Sequence, residues 1–315
     1  MIDTLKNNKF SPAGVYSAMM TPFDKSGEVD LAEVRRIVEF LIDKKVNGVF
    51  PVSNVGEFLR LDNAQKKAII KTVCEVGKGK IRITPGITDI NINNMFAMAD
   101  YCAECGADAV VVSAPYYYKH TDEYIKTYFT AIADHSALPV CLYNSPSFAN
   151  PISTDLLLEI CAHPNIVAVK ESSGDVKFFT NFMRLIKENN IDIHVLVGWE
   201  ELTYTGLLLG GSGCVVSSGG IIPEILLELV RAYEAGNLSR ALECENSVCK
   251  ITAAISAYGF PQGYKMAMRS RGFNFEIYQG SAFAEINEKL IAECKAMSEL
   301  IEGEMRRLRA FQTHI

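Results

Sequence analysis

Short apolar runs rich in β-branched residues recur along the chain. They are GVYSAMM (14–20), VNGVFPV (46–52), IRITPGI (81–87), ADAVVVSA (107–114), LPVCLYN (138–144), NIVAVK (165–170), IHVLVG (193–198) and GCVVSS (213–218). They are continuous rather than alternating, which suits parallel strands buried on both faces. Amphipathic segments of helical length lie between them. Residues 30–45 place Leu31, Val34, Ile37, Val38, Leu41 and Ile42 at helical spacing, with Asp30 as N-cap. Asp62, Thr121 and Ser153 open three further helices, and Gly174 lies near the start of another. Glu200–Leu209 and Pro223–Ala235 follow the seventh and eighth runs.

Eight strand–helix units in succession predict an α/β fold, a (β/α)8 TIM barrel over residues 1–236. A doubly wound sheet is the lesser fit, because the first turn, MMTPFDKSGEVD, is not glycine-rich. Residues 237–315 read as a C-terminal helical extension packed on the barrel. Within it Ile286, Leu290, Ile291, Met297, Leu300, Ile301, Met305 and Leu308 form an apolar stripe.

Composition narrows the class. The 315 residues are 49% hydrophobic and 22% charged, which excludes a disordered or collagen-like chain. The net charge of −6 argues against a nucleic-acid partner, whose binding needs a basic face. No run reaches the roughly 18 apolar residues of a membrane helix. The N-terminal residues lack the basic-then-apolar order of a signal peptide, and the nine cysteines are an odd number. The expectation is a cytoplasmic protein with reduced thiols. The five histidines show no metal-binding spacing, and Cys102 and Cys105 have no second pair, so no metal is expected.

In a (β/α)8 barrel the chemistry sits at the C-terminal ends of the strands. Lys170 ends the sixth run there. Poor hydration disfavours its charged form, and a neutral amine can attack a ketone to form an imine. By spacing alone it also reads as a surface lysine beyond a strand. Tyr143 ends the fifth run and Tyr117 follows the fourth. Either can move a proton to or from a substrate hydroxyl, or simply pack. The glycine–serine turn at 217–220 offers backbone N–H groups to an anion.

These residues and their neighbours resemble the N-acetylneuraminate lyase and dihydrodipicolinate synthase family of Schiff-base (β/α)8 enzymes. The motifs are NIVAVKESSGD (165–175), LYNSPS (142–147), APYYY (114–118) and SNVGEFLRL (53–61). The resemblance implies a lyase without cofactor, in which Lys170 forms a covalent imine with pyruvate or another 2-oxo acid. It assigns proton handling to Tyr143. Tyr117 would extend the relay into a neighbouring subunit, which implies a homotetramer built from dimers. Ser53, Asn54, Val55, Gly56 and Glu57 would form the loop that binds the substrate carboxylate.

Three positions refine the expectation. Val55 lacks the hydroxyl usual in this loop, so its backbone, with Ser53 or Asn54, must serve the carboxylate. Phe148 stands where the lysine-biosynthetic synthases carry an arginine, which disfavours dihydrodipicolinate synthesis. Gly198, Glu200 and Glu201 resemble the sialic acid lyase motif that binds hydroxyls, as does Ser217. At these specificity positions the chain is closer to the sugar-acid lyases. The leading expectation is cleavage or formation of a polyhydroxylated 2-oxo acid from pyruvate and an aldehyde. Alternatives are a dehydratase or deaminase of a 2-keto-3-deoxy sugar acid, and a non-catalytic 2-oxo acid binder.

Overall fold

A computed structural model describes residues 10–277 and 288–312. Eight parallel strands form one sheet: β1 (Gly14–Ala18), β2 (Gly48–Phe50), β3 (Arg82–Ile83), β4 (Val110–Ser113), β5 (Val140–Asn144), β6 (Ile166–Glu171), β7 (His194–Val197) and β8 (Gly213–Val216). Their order, β3-β2-β1-β8-β7-β6-β5-β4, is that of a sheet rolled on itself. The seam between β3 and β4 closes through a parallel bridge, Gly86 to Val111, where Val111 N–H donates to Pro85 and Ile87 N–H donates to Val111. The expected TIM barrel is the observed fold.

Each strand lies inside its apolar run except β6, which runs one residue further to Glu171, and β2 and β3 are shorter than their runs. Pro51 and Pro85 end them, because proline has no N–H to give the ladder. The strands are buried almost throughout, as continuous apolar runs require.

The barrel helices are α1 (Leu31–Asp43), α2 (Asn63–Gly77), α3 (Ile92–Cys105), α4 (Asp122–His135), α5 (Thr154–Cys161), α6 (Val176–Glu188), α7 (Thr203–Leu208) and α8 (Pro223–Glu234). Asp30, Asp62, Thr121 and Ser153 cap α1, α2, α4 and α5 through their side-chain oxygens. Asp175, one residue past Gly174, caps α6. The stretch after β7 is broken into a 3-10 turn, Glu200–Leu202, and α7.

Three more helices follow: α9 (Leu238–Ser256), α10 (Gln262–Ser270) and α11 (Glu288–Gln312). α9 packs on α8 and on the 3-10 turn at 200–202, and α10 packs on α9, α11 and the turn after β8. Within the apolar stripe, Met297, Ile301 and Leu308 are buried, whereas Ile291 is exposed. Ile286 lies outside the described residues, and so does the side chain of Leu290. Among the described residues no helix is long and apolar enough to cross a membrane.

Candidate active site

The C-terminal ends of the strands open into a cleft of about 220 Å³. Lys170 lies on β6 with 7% of its surface exposed. Its register partner on β5 is Tyr143. The Lys170 Nζ stands 4.2 Å from the centroid of the Tyr143 ring and 5.1 Å from that of Phe50. Among the described residues no carboxylate forms an ion pair with it. The strand therefore delivers an amine into a partly apolar cleft, where Glu200 acts on it only across a longer distance.

Gly198 explains how the lysine stem fits. A Cβ at this position would fall 1.7 Å from Ser172 Oγ and 3.0 Å from Lys170 Cε. A glycine just past β7 thus leaves room for the Ser172 and Lys170 side chains, which a larger residue would force to shift. Ser172 also lines the cleft, and its buried hydroxyl has no hydrogen-bond partner among the described residues. Beside Lys170, Glu171 points elsewhere and accepts from the Ser173 N–H at 2.7 Å and from Asn144 Nδ2 at 3.3 Å. Burial pushes the Glu171 carboxyl up despite these bonds.

The loop after β2 is tied to the end of β1. Ser53 Oγ donates to the Met19 carbonyl at 2.9 Å and accepts from the Gly56 N–H at 3.1 Å. Thr21 Oγ1 donates to the Gly56 carbonyl at 2.7 Å. Glu57 takes a left-handed backbone with φ of 58° and pairs with buried Lys265 of α10. Ser53 is thus spent inside the loop and does not line the cleft, whereas Asn54 and Val55 do. The backbone N–H groups of these two residues donate to no acceptor among the described residues. Such free N–H groups at a cleft wall suit an anion.

Glu200 is buried, and one oxygen, Oε1, accepts three donors. They are the N–H groups of Ser217 and Ser218, both at 3.1 Å, and the Tyr264 hydroxyl at 3.3 Å. Burial pushes this carboxyl up, against the opposing pull of the Ser218 N–H. Glu200 therefore braces the turn after β8. Of the expected pair of hydroxyl-binding acids, Glu200 lines the cleft with Oε1 taken by two backbone N–H groups and the Tyr264 hydroxyl, and Glu201 is not among the lining residues. Ser217 and Gly198 do line the cleft.

Tyr117 stands apart. Its backbone has φ of 72°, its ring is 87% exposed, and it packs edge-on against Tyr118 at 4.9 Å. In this chain it does not reach the Lys170 cleft. The sequence pattern assigns no role to Ser172, Trp199, Phe260 or Tyr264, all of which line the cleft. The first was visible in the ESSGD run beside Lys170. The last two come from the C-terminal extension, whose return to the barrel mouth has no local signal. Among the described residues no group of histidine, cysteine or acidic side chains is placed to hold a metal ion.

A closed barrel of eight parallel strands, with a buried lysine opening into the cleft at their C-terminal ends, defines a (β/α)8 enzyme. Residues 11–299 match the dihydrodipicolinate synthetase family, and the chain belongs to it. It is a lyase. An uncharacterized DapA-like lyase of Pyrococcus furiosus is 32% identical over 262 residues, covering 82% of this chain and 87% of that one. A 4-hydroxy-tetrahydrodipicolinate synthase of Methanococcus aeolicus is 31% identical, covering 81% and 87%. Among solved structures, N-acetylneuraminate lyase of Mycoplasma synoviae superposes with a TM-score of 0.82 at 26% identity, covering 93% and 97%. A prophage protein of E. coli K12 from the dihydrodipicolinic acid synthase family shares the fold, with a TM-score of 0.86 at 24% identity over 92% and 98%.

Proposed function

We propose that the chain is a Schiff-base lyase that cleaves or forms a 2-oxo acid, with pyruvate and an aldehyde as the smaller partners. The observation that carries this reading is Lys170, buried at the end of β6, in no ion pair with a carboxylate among the described residues, and open to the cleft. Its amine adds to the keto carbon and water leaves, giving an imine. In the cleavage direction the protonated imine accepts the electron pair of the breaking C3–C4 bond. The C4 hydroxyl gives its proton to Tyr143, and an aldehyde departs. The enamine of pyruvate takes a proton at C3, and water then releases the product from Lys170. The imine is the electron sink, so the reaction as written calls on no other cofactor.

The N–H groups of Asn54 and Val55 are the seat proposed for the substrate carboxylate. The exposed Tyr117 would complete the relay from a second copy, in a homotetramer built from dimers. Dihydrodipicolinate synthesis is disfavoured, because Phe148 lines the cleft and Lys170 is the one cationic side chain among the lining residues. Loss of water or ammonia through the same imine is a second reading. It is favoured by Val55, which places no hydroxyl where a relay would need one.

The test is borohydride reduction in the presence of pyruvate, followed by peptide mass spectrometry. A reduced pyruvyl adduct on Lys170 is expected. Its absence with pyruvate and with larger 2-oxo acids, in folded protein, overturns the reading and promotes a non-catalytic binder.

A further inference from the structure

The mouth of the Lys170 cleft is built from aromatic rings left open to solvent. Phe148 follows β5, Trp199 follows β7, and Phe260 sits in the turn between α9 and α10. They are 57%, 42% and 46% exposed, and all three line the same cleft as Lys170. The Phe148 and Phe260 centroids are 5.9 Å apart, and Phe260 packs edge-on against Tyr264 at 6.0 Å. Three distant segments thus converge on one apolar rim. Exposed apolar surface of this kind is costly unless something covers it.

Its continuity with the cleft identifies the occupant as the part of the substrate that extends past Lys170. The polar groups available to that part are weak. Glu200 is the one acidic side chain in the lining, and its Oε1 already takes three donors, which leaves Oε2 alone for a ligand. A chain of several hydroxyls would find serine side chains, aromatic faces and a single carboxylate oxygen, Glu200 Oε2. A second substrate carboxylate would find no cation.

We infer that the aldehyde partner carries an apolar group, aromatic in the best case, which is held between Phe148, Phe260 and Trp199. This rests on the imine reading above and sets its substrate class. The reaction is then condensation of pyruvate with an aryl aldehyde, or its reverse. The enamine carbon of pyruvate bonds to the aldehyde carbon, the aldehyde oxygen takes up a proton, and water frees the 4-aryl-4-hydroxy-2-oxo acid from Lys170. Aryl rings stack in offset or edge-on arrangements against such a rim.

The experiment has two arms. Borohydride trapping with pyruvate reports the imine alone. Condensation of pyruvate with benzaldehyde is then compared with D-glyceraldehyde and D-erythrose. A kcat/KM for benzaldehyde at least tenfold above both sugars is expected. Phe148→Ser and Phe260→Ser should erode that preference while pyruvate trapping is retained. Trp199 is the sole tryptophan, so its emission should also change saturably with 4-phenyl-2-oxobutanoate, more weakly in the Phe148→Ser protein. Trapping without an aryl preference overturns this inference and leaves the imine reading intact. An aryl preference that survives both serine variants overturns the assignment to this rim. Absence of trapping overturns both readings.

Discussion

Lys265 reaches from α10 to pair with Glu57, at the end of the loop that carries Asn54 and Val55. Both side chains are buried, and the Lys265 Nζ also lies 5.2 Å from the Phe23 ring centroid. Burial holds the Lys265 ammonium below its ordinary range, against the upward pull of Glu57. Arg60 also touches Glu57, at 2.8 Å, but is half exposed. The C-terminal extension is thus anchored to the proposed carboxylate seat through one buried ion pair.

Removing Lys265 leaves the buried Glu57 carboxylate with only the half-exposed Arg60 as counter-charge among the described residues. Lys265→Met is expected to cost up to about 3 kcal/mol in chemical denaturation, the low end for breaking a buried pair, because Arg60 still offsets part of the Glu57 charge. It should also raise KM for pyruvate, because the loop loses its anchor. The double variant Glu57→Gln with Lys265→Met should recover much of the stability. A single variant as stable as the parent would refute the anchoring role.

The barrel was legible because its strands are buried on both faces, so β-branched runs mark them directly. Local caps such as Asp30 and Asp62 were legible for the same reason: their partners lie within three residues. Lys170 and Tyr143 were legible as strand ends. The Glu57–Lys265 pair was not, since it joins segments that only the closed fold brings together. Glu200 shows another limit of local pattern. Its sequence position matched a hydroxyl-binding acid, but which donors its oxygen takes depends on how the turn after β8 is folded. Phe260 and Tyr264 belong to the cleft only because α9 returns across the barrel.

Gly198 provides a steric test of how Lys170 is placed. An alanine Cβ there meets Ser172 Oγ at 1.7 Å, so β6 and β7 or the two side chains must shift. A displacement near 1 Å at a reacting group costs roughly 10²-fold in rate. Gly198→Ala is expected to slow pyruvate trapping on Lys170 by about that factor. An unchanged trapping rate would show that the lysine tolerates the shift and that the close approach is not needed for imine formation.

Glu245 on α9 gives a pH signature. Its Oε1 accepts from the Tyr204 N–H at 3.1 Å, while its buried Oε2 has no hydrogen-bond partner among the described residues. Burial pushes its carboxyl up to about 7 from 4.5, opposed by the Tyr204 N–H. Between these values the folded chain holds a proton that the unfolded chain releases. The contribution of Glu245 to stability is therefore greatest below pH 4.5 and falls as pH rises towards 7. Glu245→Gln keeps an acceptor for Tyr204 and removes the titration. Relative to the parent, the variant should gain on the order of 3 kcal/mol between pH 5 and pH 8. Denaturation curves at the two pH values measure the difference, and a pH-independent difference would refute the assignment.

Tyr143 separates imine formation from the proton step. Its ring supports the Lys170 Nζ at 4.2 Å, and that contact needs no hydroxyl. Tyr143→Phe preserves the ring and removes only the group proposed to take the C4 proton. Pyruvate trapping on Lys170 should therefore persist in this variant. The turnover number for carbon–carbon cleavage should fall by about 10²–10⁴, the usual worth of a positioned acid or base. Tyr143→Ala removes the ring as well and should weaken trapping too. If Tyr143→Phe turns over at the parental rate, the proton goes elsewhere, and Ser172, whose buried hydroxyl faces the same cleft, becomes the group to replace next.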